Sequence, residues 1–242
     1  MRYGLWWLAA LPLLPVALPQ AIYTRRTALR LPEAAGAKQG LAGEHFPGQA
    51  FFLTVLGEST VAGVGVGTLE QAMPGQLARA LAQRLQRPVH WQAFGENGVT
   101  AAGARARLLP SALRGPCDAL VVLLGVNDCT HLSSAARWRA EMRKILEGAR
   151  TQASLVAVSA VPPIGHFSAL PALLRRLLGA RARLLDDDLR RVAGEQGARY
   201  CAIDLPFEPH FLAEDDYHPS ERGCEVWAQG LAQQLVSARC AE

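Results

Sequence analysis

Little in this sequence speaks for a metal centre or a disulfide scaffold. The five cysteines, Cys117, Cys129, Cys201, Cys224 and Cys240, form no CxxC pair and are odd in number, so they read as small, mostly buried side chains. Cys129, directly after Asn127-Asp128, is the one that would border a site in that loop. His45, His90, His131, His166 and His210 are scattered without a helical i, i+4 pair, so no metal site is expected; His131 and His166 read as surface residues or as lining for a cleft. Lysine is scarce, at positions 38 and 144 only, and no basic face interleaved with aromatics points to nucleic acid. The net charge of +4 sits mostly at the front. Arg2, Arg25, Arg26, Arg30 and Lys38 stand against Glu33 and Glu44 in residues 1–48, which leaves +1 for residues 49–242. Internal repeats and low-complexity tracts are absent.

What the chain does have is apolar material. Half of its 242 residues are hydrophobic, enough for one α/β domain of good size plus an appendage, and disorder is excluded for the bulk. Gly4 to Tyr23 is nearly free of charge and about long enough to cross a hydrocarbon core of ~30 Å. Two readings of residues 1–23 compete, a cleaved secretory signal and a retained membrane anchor with a single span. Pro12, Pro15 and Pro19 weaken a regular helix in either. The want of a clean A-x-A cleavage site favours the anchor, with Trp6, Trp7 and Tyr23 near the interfaces. The arginines at 25, 26 and 30 would hold the rest of the chain on the cytoplasmic side, whereas export would place it outside, secreted or periplasmic. Residues 24–49 read as a linker lifting the domain of residues 50–242 off the membrane.

From Phe51 onward, short apolar runs alternate with helical patterns. Strands are expected at Phe51–Leu56, Val89–Phe94, Asp118–Leu124, Leu155–Ala160 and Ala198–Ile203. Helices are expected from Pro74 through Leu85, from a Thr100 cap through Leu109, over Ala135–Arg150, over Ser168–Glu195 with a break near Gly179, and from a Ser220 cap to about Val236. Such alternation implies a parallel sheet covered by helices on both faces.

The first strand stops at Gly57-Glu58-Ser59, which leaves Ser59 at the carboxyl edge of the sheet, where α/β proteins place their chemistry. Ser59 is the candidate nucleophile. A serine needs a base and waiting hydrogen-bond donors, and three further blocks offer them: Gly95-Glu-Asn-Gly98, Gly125-Val-Asn-Asp128 and Asp215-Asp-Tyr-His218. The glycines at 63, 65 and 67 do not make a dinucleotide fingerprint, because position 68 is Thr and no ribose-binding acid ends the second strand unless Glu96 serves.

These four blocks, in this order from about Phe51 to the C-terminus, resemble the SGNH hydrolases, also called GDSL esterases and lipases. The resemblance implies a three-layer α/β/α domain with a parallel five-stranded, flavodoxin-like sheet, no cofactor, and cleavage of small-molecule or lipid carboxylic esters. It also implies roles. His218 would act as base with Asp215 as its partner, Asp216 pointing elsewhere; Ser59 and Gly98 would give backbone N–H groups, and Asn127 its side-chain amide, to the oxyanion. Glu58 and Asp128 would support the loops. Glu58 departs from the family block, which has Asp there, and puts its carboxylate one methylene further out. Pro162, Ile164, Phe167 and the leucines up to Leu178 read either as an acyl-pocket wall or as ordinary helix core. Two other functions stay open: removal or transfer of acetyl groups on carbohydrate by the same machinery, and a tethered binding module without catalysis.

Overall fold

Apolar runs too short for helices become strands here, and the amphipathic segments between them become the helices that cover the sheet. The computed structural model describes residues 2–203 and 208–239. In chain order the elements are α1 (Arg2–Ala10), α2 (Leu14–Thr27), β1 (Gln39–Ala42), β2 (Phe51–Gly57), α3 (Ser59–Ala62), α4 (Met73–Leu85), β3 (Val89–Gly95), α5 (Ala101–Gly103), α6 (Leu109–Ala112), β4 (Ala119–Leu123), α7 (Val126–Thr130), α8 (Ala135–Arg150), β5 (Leu155–Ser159), α9 (Ala172–Glu195), β6 (Arg199–Cys201) and α10 (Glu221–Arg239). The sheet order is β1-β3-β2-β4-β5-β6. All neighbours are parallel except β1, which runs antiparallel along β3.

Alternation along the central strands sends side chains to two cores. Val55 and Val121 face Leu77, Leu81, Trp227 and Leu231 of α4 and α10. Leu56, Leu120 and Val122 face Trp138, Ile145, Leu185 and Leu189 of α8 and α9. The fold class is thus α/β with helices on both faces, as expected. The sheet has six strands rather than five and is mixed rather than wholly parallel. The extra strand, Gln39-Gly-Leu-Ala42, lies in the stretch that reads as linker, because four residues with one glycine carry no strand signal. It pairs Gln39 with Gln92 and Ala42 with Val89, and so covers an edge of β3 that would otherwise present free backbone groups.

Two local expectations resolve differently, and two hold. Helix α9 runs unbroken through Gly179; a Cβ there would lie 2.8 Å from the Cα of Gly165, so the glycine serves the close packing of two backbones and ends nothing. Thr100 does not cap the following helix with its side chain. The first N–H of that helix, at Ala101, donates instead to Asp128 Oδ2 at 2.7 Å, and the segment passes through a π-helical stretch over Ala104–Leu108. Ser220 does cap α10, its Oγ accepting from Gly223 N at 3.1 Å, and Pro74 sits in the first turn of α4. Among the described residues all cysteines are free thiols, three of them buried; Cys240 lies outside those residues.

The N-terminal apolar segment is helical through Arg2–Thr27, long and apolar enough to cross a membrane. A signal sequence or an anchor fits that length and composition. Its first part docks on α9: Trp6 Nε1 donates to Leu177 O at 2.8 Å, Tyr3 Oη to Asp188 Oδ2 at 3.0 Å, and Arg2 pairs with Asp187.

Candidate active site

Strand β2 is the point where the strand order turns, with β3 on one side and β4 on the other. A crevice opens beyond the carboxyl ends of strands at such a point. Ser59 stands there, at the first position of α3, 8% exposed. The turn before it is pinned by Glu58 N, which donates to Leu123 O at 3.1 Å, and by Val61 and Ala62 N–H groups, which donate to Glu58 O.

Close approach between α3 and the end of β3 is what Gly95 permits. A Cβ at that position would lie 2.3 Å from Ala62 N and 2.5 Å from Val61 C, both backbone atoms. Gly95→Ala therefore has to push α3 and Ser59 outward. A loss of about 1–3 kcal/mol in unfolding free energy, with a drop in turnover, is the expected outcome by thermal melt and assay. A variant as stable and active as the parent would show that this contact does not set the position of Ser59.

His218 lies in the loop before α10. Its Nδ1 is 2.6 Å from Asp215 Oδ2, while Asp215 Oδ1 accepts from the backbone N–H groups of Tyr217 and His218 at 3.1 and 3.0 Å. Burial pushes the Asp215 carboxyl up, but these hydrogen bonds from His218 and the backbone outweigh it and leave it below the ordinary carboxylate value. Asp216 next door is exposed, in left-handed backbone with φ +53°. The glycine loop after Ser59 packs against this histidine loop. Gly65, at φ +89°, has room for no Cβ, which would meet Ala213 Cβ at 2.7 Å and His218 Cβ at 3.4 Å. Gly65 thus seats the histidine loop against the loop of Ser59.

Ser59 and His218 line one cavity with Glu58, Thr60, Val126, Pro162, Phe167, Leu212, Tyr217, Pro219 and Trp227. It holds about 20 Å³, close to the space of a single water. Tyr217 is wedged between Phe167 and His218, at ring separations of 4.9 and 5.2 Å. Trp227 is fixed by its Nε1 donating to Ser159 Oγ at 3.1 Å. Of the segment Val161–Leu178, Pro162 and Phe167 face the cavity, while Ile164 and Leu174 go into the core. His131 and His166 are exposed.

Glu58 reaches across to the end of the neighbouring strand. Its Oε1 accepts from Val126 N at 2.9 Å, and its Oε2 accepts from Asn127 N at 2.9 Å and from Asn127 Nδ2 at 2.6 Å. The carboxylate therefore covers the first turn of α7 and fixes the Asn127 amide. The extra methylene is the length this reach uses. Burial pushes the Glu58 carboxyl up to about 7, against the pull of those three N–H donors. Asp128, also buried, ties the loop to α5 through Ala101 N, and burial raises its carboxyl as well. Cys129 is sealed off, its Sγ donating to Leu178 O at 3.3 Å and its thiol pushed by burial up to about 12. Gly98 has φ +79° and open space where a Cβ would stand, so the backbone angle, rather than crowding, calls for glycine there.

One contributor lies where the sequence gives no signal. Glu33, in the stretch read as linker, accepts from Asn97 N at 2.8 Å, beside Gly98. Ala34 N and Ala35 N donate to Ala62 O and Gly67 O, each at 3.1 Å, so residues 33–35 strap the loops around Ser59. Glu33 itself was an isolated acid in a basic stretch, and only its place in space marks it.

A mostly parallel sheet covered by helices on both faces, with a serine at its switch point and an Asp-held histidine on the same cavity, is an α/β architecture with a candidate active site at the carboxyl ends of its strands. More narrowly, the chain belongs to the GDSL-like Lipase/Acylhydrolase family, whose sequence model matches residues 55–226. The GDSL-like esterase Rv1075c of Mycobacterium tuberculosis is 26% identical over 176 residues, covering 69% of this chain and 56% of that protein. The chain thus spans about half the length of this relative. Among solved structures, a lipase/acylhydrolase from Enterococcus faecalis superposes with TM-score 0.63 at 18% identity, over 78% of this chain and 96% of that one. Est24, a carbohydrate acetylesterase from Sinorhizobium meliloti, does so with TM-score 0.59 at 16% identity, over 78% and 99%. At those identities the likeness is one of fold.

Proposed function

We propose that this protein hydrolyses carboxylic esters through an acyl-enzyme on Ser59. The observation that carries the reading is that Ser59 and His218 share one cavity while Asp215 holds His218 Nδ1 at 2.6 Å, leaving Nε2 as the base. His218 takes the proton of Ser59 Oγ as that oxygen attacks the ester carbonyl, and Asp215 steadies the imidazolium. The tetrahedral anion is held by the N–H groups of Ser59 and Gly98 and by the amide of Asn127, which Glu58 aims. Collapse expels the alcohol, which takes the proton from His218. Water then attacks the acyl-enzyme with the same histidine as base, releasing the acid and restoring Ser59. No cofactor enters this scheme. The experiment is an aryl-ester assay of the purified protein beside the Ser59→Ala variant: hydrolysis that depends on Ser59 supports the reading, and hydrolysis that persists in the variant refutes it.

The size of the cavity favours short acyl groups. With room for about one water among Pro162, Phe167, Leu212, Tyr217 and Trp227, an acetyl group fits with little adjustment and a long chain needs side chains to move. Turnover on a series of p-nitrophenyl esters is expected to fall as the acyl chain lengthens from acetate to decanoate. A rise along the series would mean that the pocket opens. If simple acetates react poorly while acetylated sugars react well, the protein is a carbohydrate acetylesterase with the same residues in the same roles.

A further inference from the structure

Residues 2–27 form an apolar rod whose front docks on the domain and whose following chain rejoins it at Ala34 and Ala35. At its front, the Arg181 guanidinium, 1% exposed, lies 5.0 Å from the Trp6 ring and 5.9 Å from the Tyr3 ring. Asp188, 4% exposed, accepts from Tyr3 Oη and from Arg139 Nη1. These are charged groups of the domain whose partners come in part from α1. At its back, Ala34 and Ala35 are hydrogen-bonded to the loop after Ser59. Ala10, Ala17, Gln20, Ala21 and Thr24 turn toward the domain, at spacings that keep one narrow face of the rod inward. The remaining faces carry Leu5, Leu8, Leu11, Val16, Leu18 and Ile22, all between 45% and 70% exposed. Soluble surfaces rarely show so many large apolar side chains together.

Two observations decide what covers this surface. Both α1 and α2 lie against α9, and the chain beyond them is held to the domain at Ala34 and Ala35, so with these attachments in place the segment does not cross a bilayer. The part not held by α1's polar contacts, α2, is 14 residues, about 21 Å as a helix, short of a ~30 Å core, and it carries Pro19 in its interior. The charge pattern fits a lipid surface: residues 1–32 contain Arg2, Arg25, Arg26 and Arg30 and no acid, and the last three lie exposed at the end of the rod. We infer that residues 2–27 are a retained seat that lies in the plane of an anionic lipid bilayer, with the leucine faces in the acyl boundary and Arg25, Arg26 and Arg30 among the headgroups. Because α1 runs along α9 from Asp187 toward Leu177, and the strap at 33–35 rejoins beside Ser59, the rod lies toward the carboxyl edge of the sheet. The cleft then faces the lipid, within reach of esters carried there.

The test uses the full chain, made by cell-free synthesis and offered to preformed phosphatidylcholine vesicles with and without phosphatidylglycerol. Flotation with the anionic vesicles, weakened about tenfold by Arg25→Ala with Arg26→Ala, is expected. Leu8→Glu, Leu11→Glu and Leu18→Glu together should abolish flotation while leaving hydrolysis of a soluble ester unchanged. A protease added outside intact vesicles should remove tags at both termini alike. An N-terminal tag protected from the protease would mean a span and overturn the inference. So would a chain recovered from its native host that begins after residue 27, or a dimer that covers the leucines and ignores vesicles. Flotation, protease access and the N-terminal sequence are read without esterase activity, so the seat and the proposed chemistry fail separately.

Discussion

Ser59→Ala and His218→Ala are each expected to lower kcat by about 10⁴-fold or more on a short-chain ester, with KM little changed. The double variant should lose hardly more than either single one, because base and nucleophile act as one unit and the remaining acceleration comes from the oxyanion donors. The argument rests on placement. Ser59 has a buried backbone fixed on both sides, by Gly95 against α3 and by Glu58 N on Leu123 O. His218 is oriented by Asp215, whose carboxylate is kept ionised by its hydrogen bonds from the histidine and two backbone N–H groups. If the single losses multiply in the double variant, the two side chains act independently and the proposed proton transfer between them is wrong.

Replacing Glu58 is the second large effect. In Glu58→Gln one oxygen still accepts, but the amide turns N–H toward donors at Val126 or Asn127, and the Asn127 side chain loses its anchor. Turnover should fall by about 10²–10³-fold, the usual consequence of losing one oxyanion donor, with KM less affected. Glu58→Asp keeps the charge but not the reach, and should recover only part of the rate. Stability carries a second signature. Burial raises the Glu58 carboxyl from 4.5 to about 7, so the folded state holds this proton more tightly than the unfolded chain does. Its contribution is complete below pH 4.5 and is lost as pH rises to 7. The wild type should therefore lose about 3 kcal/mol across that window relative to Glu58→Gln, which has no proton to release there. Urea unfolding of both proteins at pH 5 and pH 7.5 measures the difference. Parallel pH profiles would contradict this environment for Glu58.

Much of this was legible in the sequence because the relevant signals are local. The runs at Phe51, Val89, Ala119 and Leu155 are apolar and bounded by glycine or polar residues, and each becomes a parallel strand. Ser59, Gly98, Asn127 and His218 stand where those strands end or just before a helix, which one chain shows without coordinates. What was not legible depends on pairing across long separations. Nothing in Gln39-Gly-Leu-Ala42 says that β3 has a free edge to be filled. Gly179 reads as a helix breaker until Gly165 is seen against it. Thr100 looks like a cap until Asp128, 27 residues on from the N–H it binds, is found in that role. The same holds for Glu33, which lies on the stretch that reads as linker yet binds Asn97, and for Arg181, whose partners Tyr3 and Trp6 lie on the segment that reads as membrane anchor.

The central claim is that Ser59 is activated by His218 for attack on an ester carbonyl. Labelling of the purified protein with a fluorophosphonate, followed by peptide mass spectrometry, tests it most directly. The expected adduct is a single phosphonyl group on Ser59, absent from Ser59→Ala and formed far more slowly in His218→Ala. An adduct on another residue, or equal labelling of wild type and His218→Ala, would contradict it.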